Sequence, residues 1–304
     1  MATLEVKKIL VPVDFSTTGE KAMNQAVMLA KRTKAEIILI TVLEGPIGNA
    51  SSNNFGMSLY NRTKFESMIT DGARKNMENY KAELQKKGIS KVSYIIESGK
   101  PYKMITNVAS KIKADIIIMG THGVEGVKEI AFGSNTFRVV SKASCPVLSV
   151  QKHTKKVGFK SILLPFRDKP HSRESVEYAI RIAEIYGATI HVLGICFDSS
   201  THGMRRIILE GQQIKKILDK RGVKSSLDTV NGDYVSKVIY GFAKKKKADL
   251  LVIMADMDKM SISEFVIGPV VQQLINHSKI PVLSIHPAIN AKALIGSGDW
   301  TFWV

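Results

Sequence analysis

The chain has 304 residues, 44% of them hydrophobic, and two cysteines, which suffices for two domains with their own cores and rules out a disulfide framework. No apolar run reaches the ~18 residues that a bilayer span needs. The net charge of +17 is shared evenly, +8 over residues 1–150 and +9 over residues 151–304, with no basic tail in either half, so nucleic acid is not expected as a partner.

The N-terminus, MATLEVKKILVPVDFS, runs straight into a strand pattern and lacks the features of a secretory signal, so the expected location is cytoplasmic. The first half alternates. A strand (Lys8–Val13), a helix (Thr18–Thr33) and a strand (Glu36–Leu43) precede a Gly/Asn/Ser-rich loop from Gly45 to Asn61. A helix over Lys64–Lys87 stops at Gly88. A strand (Lys91–Glu97), a turn at Gly99-Lys100-Pro101, a helix (Met104–Lys113), an apolar strand ending at Met119, a helix from Ser134 and a last strand (Val147–Val150) complete it. Strands alternating with helices predict a parallel sheet covered on both faces, with ligands outside the carboxyl ends of the strands.

The stretch Gly120–Thr136, GTHGVEGVKEIAFGSNT, follows the buried strand Ile116–Met119. Glycines there let backbone N–H groups approach an anion, and a helix start adds unpaired donors and a positive dipole end. A phosphate chain suits such a place, with the Ser134 and Thr136 hydroxyls as further donors. The plainer alternative is a tight strand exit at Gly120 and Gly123 and a helix cap at Ser134. Asp14, just past the first strand, either accepts from a ribose or caps the next helix, although Ser16 and Thr17 are also available as caps. Val42 and Met119 are either core residues or a surface for an adenine face.

A repeat organises the whole chain. Residues 7–44 align without a gap on residues 160–197, and CPVLSV (Cys145–Val150) matches IPVLSI (Ile280–Ile285). The spacing Gly-x2-Gly-x9-Gly-Ser after an Ala-Asp-apolar strand resembles the nucleotide-binding signature of the universal stress protein family, and with the repeat this likeness covers nearly the whole chain twice. The resemblance implies two tandem five-stranded parallel α/β sandwiches of the adenine nucleotide α-hydrolase-like, Rossmann-like type. The domains would be 1–152 and 153–287, followed by an aromatic tail, 288–304. It implies ATP as ligand, carrying Mg2+ as ATP usually does. Pro12, Val13, Asp14 and Val42 would hold the adenosine, Met119 and Gly120 would flank it, and Gly123, Gly133, Ser134, Asn135 and Thr136 would take the phosphates. His122 either touches a phosphate or faces solvent.

The second copy departs from this pattern. Counting back from Gly268 and Pro281 puts Ala255 and Asp258 at the first two glycines and Pro269 at Ser134, while Arg167 stands at Asp14. Acid and proline oppose a triphosphate, so nucleotide is expected in the first copy alone. The loop after the second strand of that copy, Asp198 to Gly203, is also shorter.

Family members commonly pair through their last strands, which implies an intrachain pseudo-dimer of Val147–Val150 with Val282–Ile285, or a homodimer. The tail WTFWV is expected to dock on its own chain or on a second one. No phosphate loop, nucleophile elbow or zinc-protease motif occurs, so slow ATP hydrolysis is the most chemistry expected. The function implied is an ATP-dependent stress or signalling module with an unidentified protein partner. The alternative is a nucleotide-independent scaffold.

Overall fold

In the computed structural model the chain is described over residues 5–44, 59–121, 135–167, 172–196, 200–232, 234–255 and 269–286. It divides into two compact units between Lys152 and His153.

The first unit is built on β1 (Lys8–Pro12), β2 (Glu36–Leu43), β3 (Val92–Ser98), β4 (Ile116–Gly120) and β5 (Val147–Val150). All are parallel, in the order β3-β2-β1-β4-β5. The inner strands read as unbroken apolar runs because both of their faces are covered. Ile9, Leu10, Val11, Ile37, Leu39, Ile117 and Ile118 are wholly buried. Helices α1 (Thr17–Thr33) and α2 (Leu59–Lys86) connect strands in one direction along the sheet, and α3 (Pro101–Ile112) and α4 (Asn135–Lys142) connect them in the other. Right-handed crossovers therefore place α1 with α2 on one face and α3 with α4 on the opposite face.

Helix α1 shows how the sequence specifies these boundaries. Ser16 caps it, its hydroxyl accepting from the Gly19 N–H at 3.0 Å. Ala22, Met23, Ala26, Val27, Leu29 and Ala30 recur at three- and four-residue spacing and are buried, and Lys34, at φ 59, ends the helix. The sequence pattern placed the start of α3 at Met104. The helix in fact begins at Pro101, which suits a first helical turn because the N–H it lacks would have had no partner there. Likewise α2 starts at Leu59 rather than Lys64.

The second unit repeats the plan with β6 (Ser161–Phe166), β7 (Thr189–Cys196), β8 (Ser225–Asn231), β9 (Leu250–Met254) and β10 (Val282–Ile285), in the order β8-β7-β6-β9-β10. Its helices are α5 (Ser172–Tyr186), α6 (Thr201–Lys220), α7 (Val235–Lys245) and α8 (Pro269–His277). The loop expected to run to Gly203 stops earlier, because Ser200 caps α6 by accepting from the Gly203 N–H at 3.0 Å. Both units share a clamp at the other end of the sheet. Asp115 Oδ2 accepts from the backbone N–H groups of Lys7 and Lys8 at 2.8 Å each. In the second unit Asp249 Oδ1 accepts from Lys160 at 3.0 Å and from Ser161 at 2.9 Å. No helix among the described residues is long and apolar enough to cross a membrane.

Candidate functional site

The strand order of the first unit reverses between β1 and β4, since the chain leaves β1 towards β2 and leaves β4 towards β5. Loops that diverge in this way open a crevice at the carboxyl ends of the two strands. Pro12, Val13 and Asp14 lie there on one side, and Met119, Gly120 and Thr121 on the other.

Each residue's surroundings limit what it can offer. The Val13 N–H donates to Ile40 O at 2.8 Å, which carries the β1–β2 pairing one residue further, and its side chain is buried. Asp14 is exposed, and its Oδ1 accepts from the Ser16 N–H at 3.0 Å and the Ser16 hydroxyl at 2.7 Å. Ser16 is thus the helix cap, and Asp14 braces the cap. Oδ2 of Asp14 makes no hydrogen bond to a described residue. Val42 is half-buried at the end of β2, in register with Glu97. Met119 is 5% exposed, in register with Ser149.

Gly120 is the meeting point of three elements. A Cβ on it would lie 3.0 Å from Thr18 Cγ2, 3.1 Å from the Thr18 carbonyl carbon and 3.2 Å from the Gly19 nitrogen, so its bareness is what lets the first turn of α1 close on β4. From the other side the buried Thr136 hydroxyl donates to Gly120 O at 2.9 Å and pins the start of α4 to the strand end. That hydroxyl, read from the sequence as a phosphate donor, is therefore already engaged. Asn135, the first residue of α4, is exposed. His122, Gly123, Gly133 and Ser134 lie outside the described residues.

Two residues not singled out in the sequence complete the crevice wall. A Cβ on Gly19 would stand 2.5 Å from Asp14 Oδ1, so a side chain at this place would push back the carboxylate that folds over the helix start. The available signal was a glycine in the first turn of a helix, where it is otherwise unfavourable. Phe15 holds a positive φ of 58° and is 42% exposed, and its ring meets Tyr80 of α2 edge-on at 5.5 Å. Burial raises the Tyr80 pKa, and the negative charges of Glu20, Glu83 and Asp14 raise it further. The α1 side of the crevice is thus acidic.

Strand pairing corrects the comparison of the two units. Ile117 faces Val147 and Leu251 faces Val282, while Leu10 faces Ile117 and Leu163 faces Leu251. Met254 therefore occupies the position of Gly120, and Ala255 that of Thr121. The backbone agrees, since the Thr121 N–H donates to Val150 O and the Ala255 N–H to Ile285 O. Counting back from Gly268 had crossed an unmatched residue. The second unit thus sets a buried methionine, 6% exposed, where the first has bare backbone.

Its neighbouring packing is exchanged too. Phe166 stands for Val13, and Gly194 and Gly211 make room for its ring, since a Cβ on either would lie 2.8 Å or 3.2 Å from Phe166 Cζ. Counted back from the glycines that end α2 and α6, Gly88 and Gly222, the partner of Gly211 is the fully buried Met77. A large ring on the strand is thus matched by glycines on the elements packed against it. Asp258 lies outside the described residues, and Pro269 is the first residue of α8. No metal-binding cluster of His, Cys, Asp or Glu occurs among the described residues.

The model of the universal stress protein family matches residues 5–151 and again residues 158–286. The universal stress protein MJ0577 of Methanocaldococcus jannaschii is 36% identical over 157 residues, covering 48% of this chain and 95% of that protein. YxiE of Bacillus subtilis, also a universal stress protein, is 31% identical over 152 residues, covering 47% of this chain and 98% of its own. Each of these relatives is thus about the size of one unit. A universal stress protein from Archaeoglobus fulgidus, known from its crystal structure, matches 94% of this chain and 98% of its own with a TM-score of 0.73 at 16% identity.

Proposed function

The chain belongs to the universal stress protein family, and on that premise we propose that its first unit binds an adenine nucleotide, ATP in particular, and acts as a nucleotide-dependent stress-response module. The observation that carries this reading is the convergence at one strand-order reversal of an exposed carboxylate, a strand end without a Cβ, and a helix start tied to that strand end by Thr136.

The geometry supports one orientation of the ligand. Asp14 and Glu20 make the start of α1 unfavourable for phosphate, and the Gly19 N–H is already taken by Ser16. The adenosine end belongs here, with Asp14 Oδ2 accepting from a ribose hydroxyl and Pro12, Val13 and Val42 against the base. The polyphosphate belongs at α4, whose backbone N–H groups and dipole end favour an anion. Gly123, Gly133, Ser134 and Asn135 are assigned to it by the family motif, and Met119 and Gly120 to the boundary between sugar and phosphate. Mg2+ would enter with the phosphates. The residues of this unit bind and orient, and no group among those described is placed to activate water. The second unit, with Arg167 and Met254 at the matching places, would not hold nucleotide in this way and would serve as a structural or regulatory partner.

The test is to purify the chain, denature it mildly and identify any released nucleotide by mass spectrometry. An adenine nucleotide is the result expected. An empty site with no ATP affinity at millimolar concentration would reject the proposal and favour a nucleotide-independent scaffold.

A further inference from the structure

The even division of charge between the two halves conceals a segregation between helix layers. In the first unit α1 and α2 carry five carboxylates among their cations, and in the second α5 and α6 also carry five. Helices α3, α4, α7 and α8 carry none. Along α3 and α4 and their immediate ends, Lys100, Lys103, Lys111, Lys113, Arg138 and Lys142 are all exposed or half-exposed. Along α7 and its end, Lys237, Lys244, Lys245 and Lys247 are exposed as well. None of these ten is in an ion pair with a described residue. Their neighbour Lys246 turns inward to Asp228 at 2.8 Å.

From this pattern we infer that the α3–α4 face of the first unit and the α7–α8 face of the second each bind the phosphate backbone of nucleic acid without sequence preference. A face of one sign, repeated at the same place in both copies, attracts a polyanion by releasing its counterions. Apolar exposure decides which polyanion. Protein interfaces and membrane-surface helices present an apolar centre or stripe, but the large exposed hydrophobic residues Met68 and Ile69 lie on α2, and Ile208 and Leu209 on α6. Tyr234 is the one such side chain on the basic faces among the described residues, with the Lys237 ammonium 4.8 Å from its ring centre. Tyr102 on α3 likewise has Arg138 at 5.2 Å and Lys142 at 5.5 Å. Aromatic rings bordered by cations suit stacked bases and phosphates better than lipid tails. The inference is independent of ATP binding, because it uses the face and not the strand-end crevice.

The experiment follows binding of the full chain to a short labelled DNA duplex of arbitrary sequence by fluorescence anisotropy over a range of NaCl concentrations. Affinity should fall linearly on a log–log plot. Replacing three cations on each face (K103Q, R138Q and K142Q together with K237Q, K244Q and K245Q) should lower the slope by about 0.9 for each phosphate no longer neutralised, so by roughly 3 for a duplex bound on either face. A control of equal net charge on the other layers (K31Q, K75Q, K86Q, R205Q, K216Q and K220Q together) should leave the slope unchanged, and thermal melts confirm that both variants fold. An unchanged slope in the first variant would overturn the inference. So would an equal loss in the control, or binding to phosphatidylserine vesicles without binding to the duplex.

Discussion

Replacing Gly19 with alanine tests the crevice wall most sharply, because the expected result is opposite in sign to helix propensity. Alanine in place of glycine ordinarily stabilises a helix by up to ~1 kcal/mol, and by less in the first turn. Here the new Cβ would lie 2.5 Å from Asp14 Oδ1, and the carboxylate must retreat by roughly 1 Å to reach an ordinary van der Waals separation. Such a shift breaks its bonds from the Ser16 N–H at 3.0 Å and the Ser16 hydroxyl at 2.7 Å. Hydrogen bonds to charged groups contribute about 1.5–3 kcal/mol each, but water replaces part of that at an exposed carboxylate, so about 2 kcal/mol for the pair is a fair figure. The variant should be less stable by about 1–2 kcal/mol in urea unfolding and should bind ATP about 10- to 100-fold more weakly by calorimetry, as loss of one charged hydrogen bond implies. Gly72→Ala is the control. Nothing lies within 4 Å of its Cβ, and this variant should be more stable with unchanged affinity. A Gly19→Ala protein that gains stability and keeps its affinity would refute the role given to Asp14.

The two strand-start clamps should be equivalent, so Asp115→Ala and Asp249→Ala should each cost about 1–2 kcal/mol by urea unfolding, since each takes a charged acceptor from two backbone donors, one of which is open to water. His191 is half-buried, with Nδ1 2.8 Å from the Ser226 hydroxyl, and burial followed by the charge of Lys246 lowers its pKa. The folded chain therefore binds a proton there less readily than the unfolded chain, and the stabilising contribution present above about pH 6.5 is lost as pH falls through the folded pKa. Stability measured across this window should be flatter in His191→Asn than in the parent protein. Burial pushes the Cys145 thiol up to about 12, and Cys196 is also buried. Neither thiol should react with Ellman's reagent at pH 8 before denaturant is added.

The strands were legible in the sequence because buried parallel strands are uninterrupted apolar runs, and β2 and β5 begin and end where those runs do. The starts of α2 and α3 were not, since apolar spacing fades at a helix end and only Pro101 marked where α3 begins. The repeat was plain, but its register through β9 was not. The glycine spacing suggested Ala255 as the match of Gly120, whereas hydrogen bonding between strands sets Met254 there. At the crevice, residue types pointed to Asp14, Gly120 and Thr136. What each does depends on neighbours distant in the chain, and no spacing rule encodes the bond from Thr136 to Gly120 or the space that Gly19 leaves for Asp14.

We propose that the two copies of one fold have parted, one retaining a nucleotide site and the other filling it with side chains. Titration calorimetry of the intact chain with ATP measures this directly as a stoichiometry. One nucleotide per chain is predicted, bound about 10- to 100-fold more weakly after Asp14→Ala and unaffected by Arg167→Ala. Two sites per chain, or a single site lost with Arg167 and kept without Asp14, would contradict it.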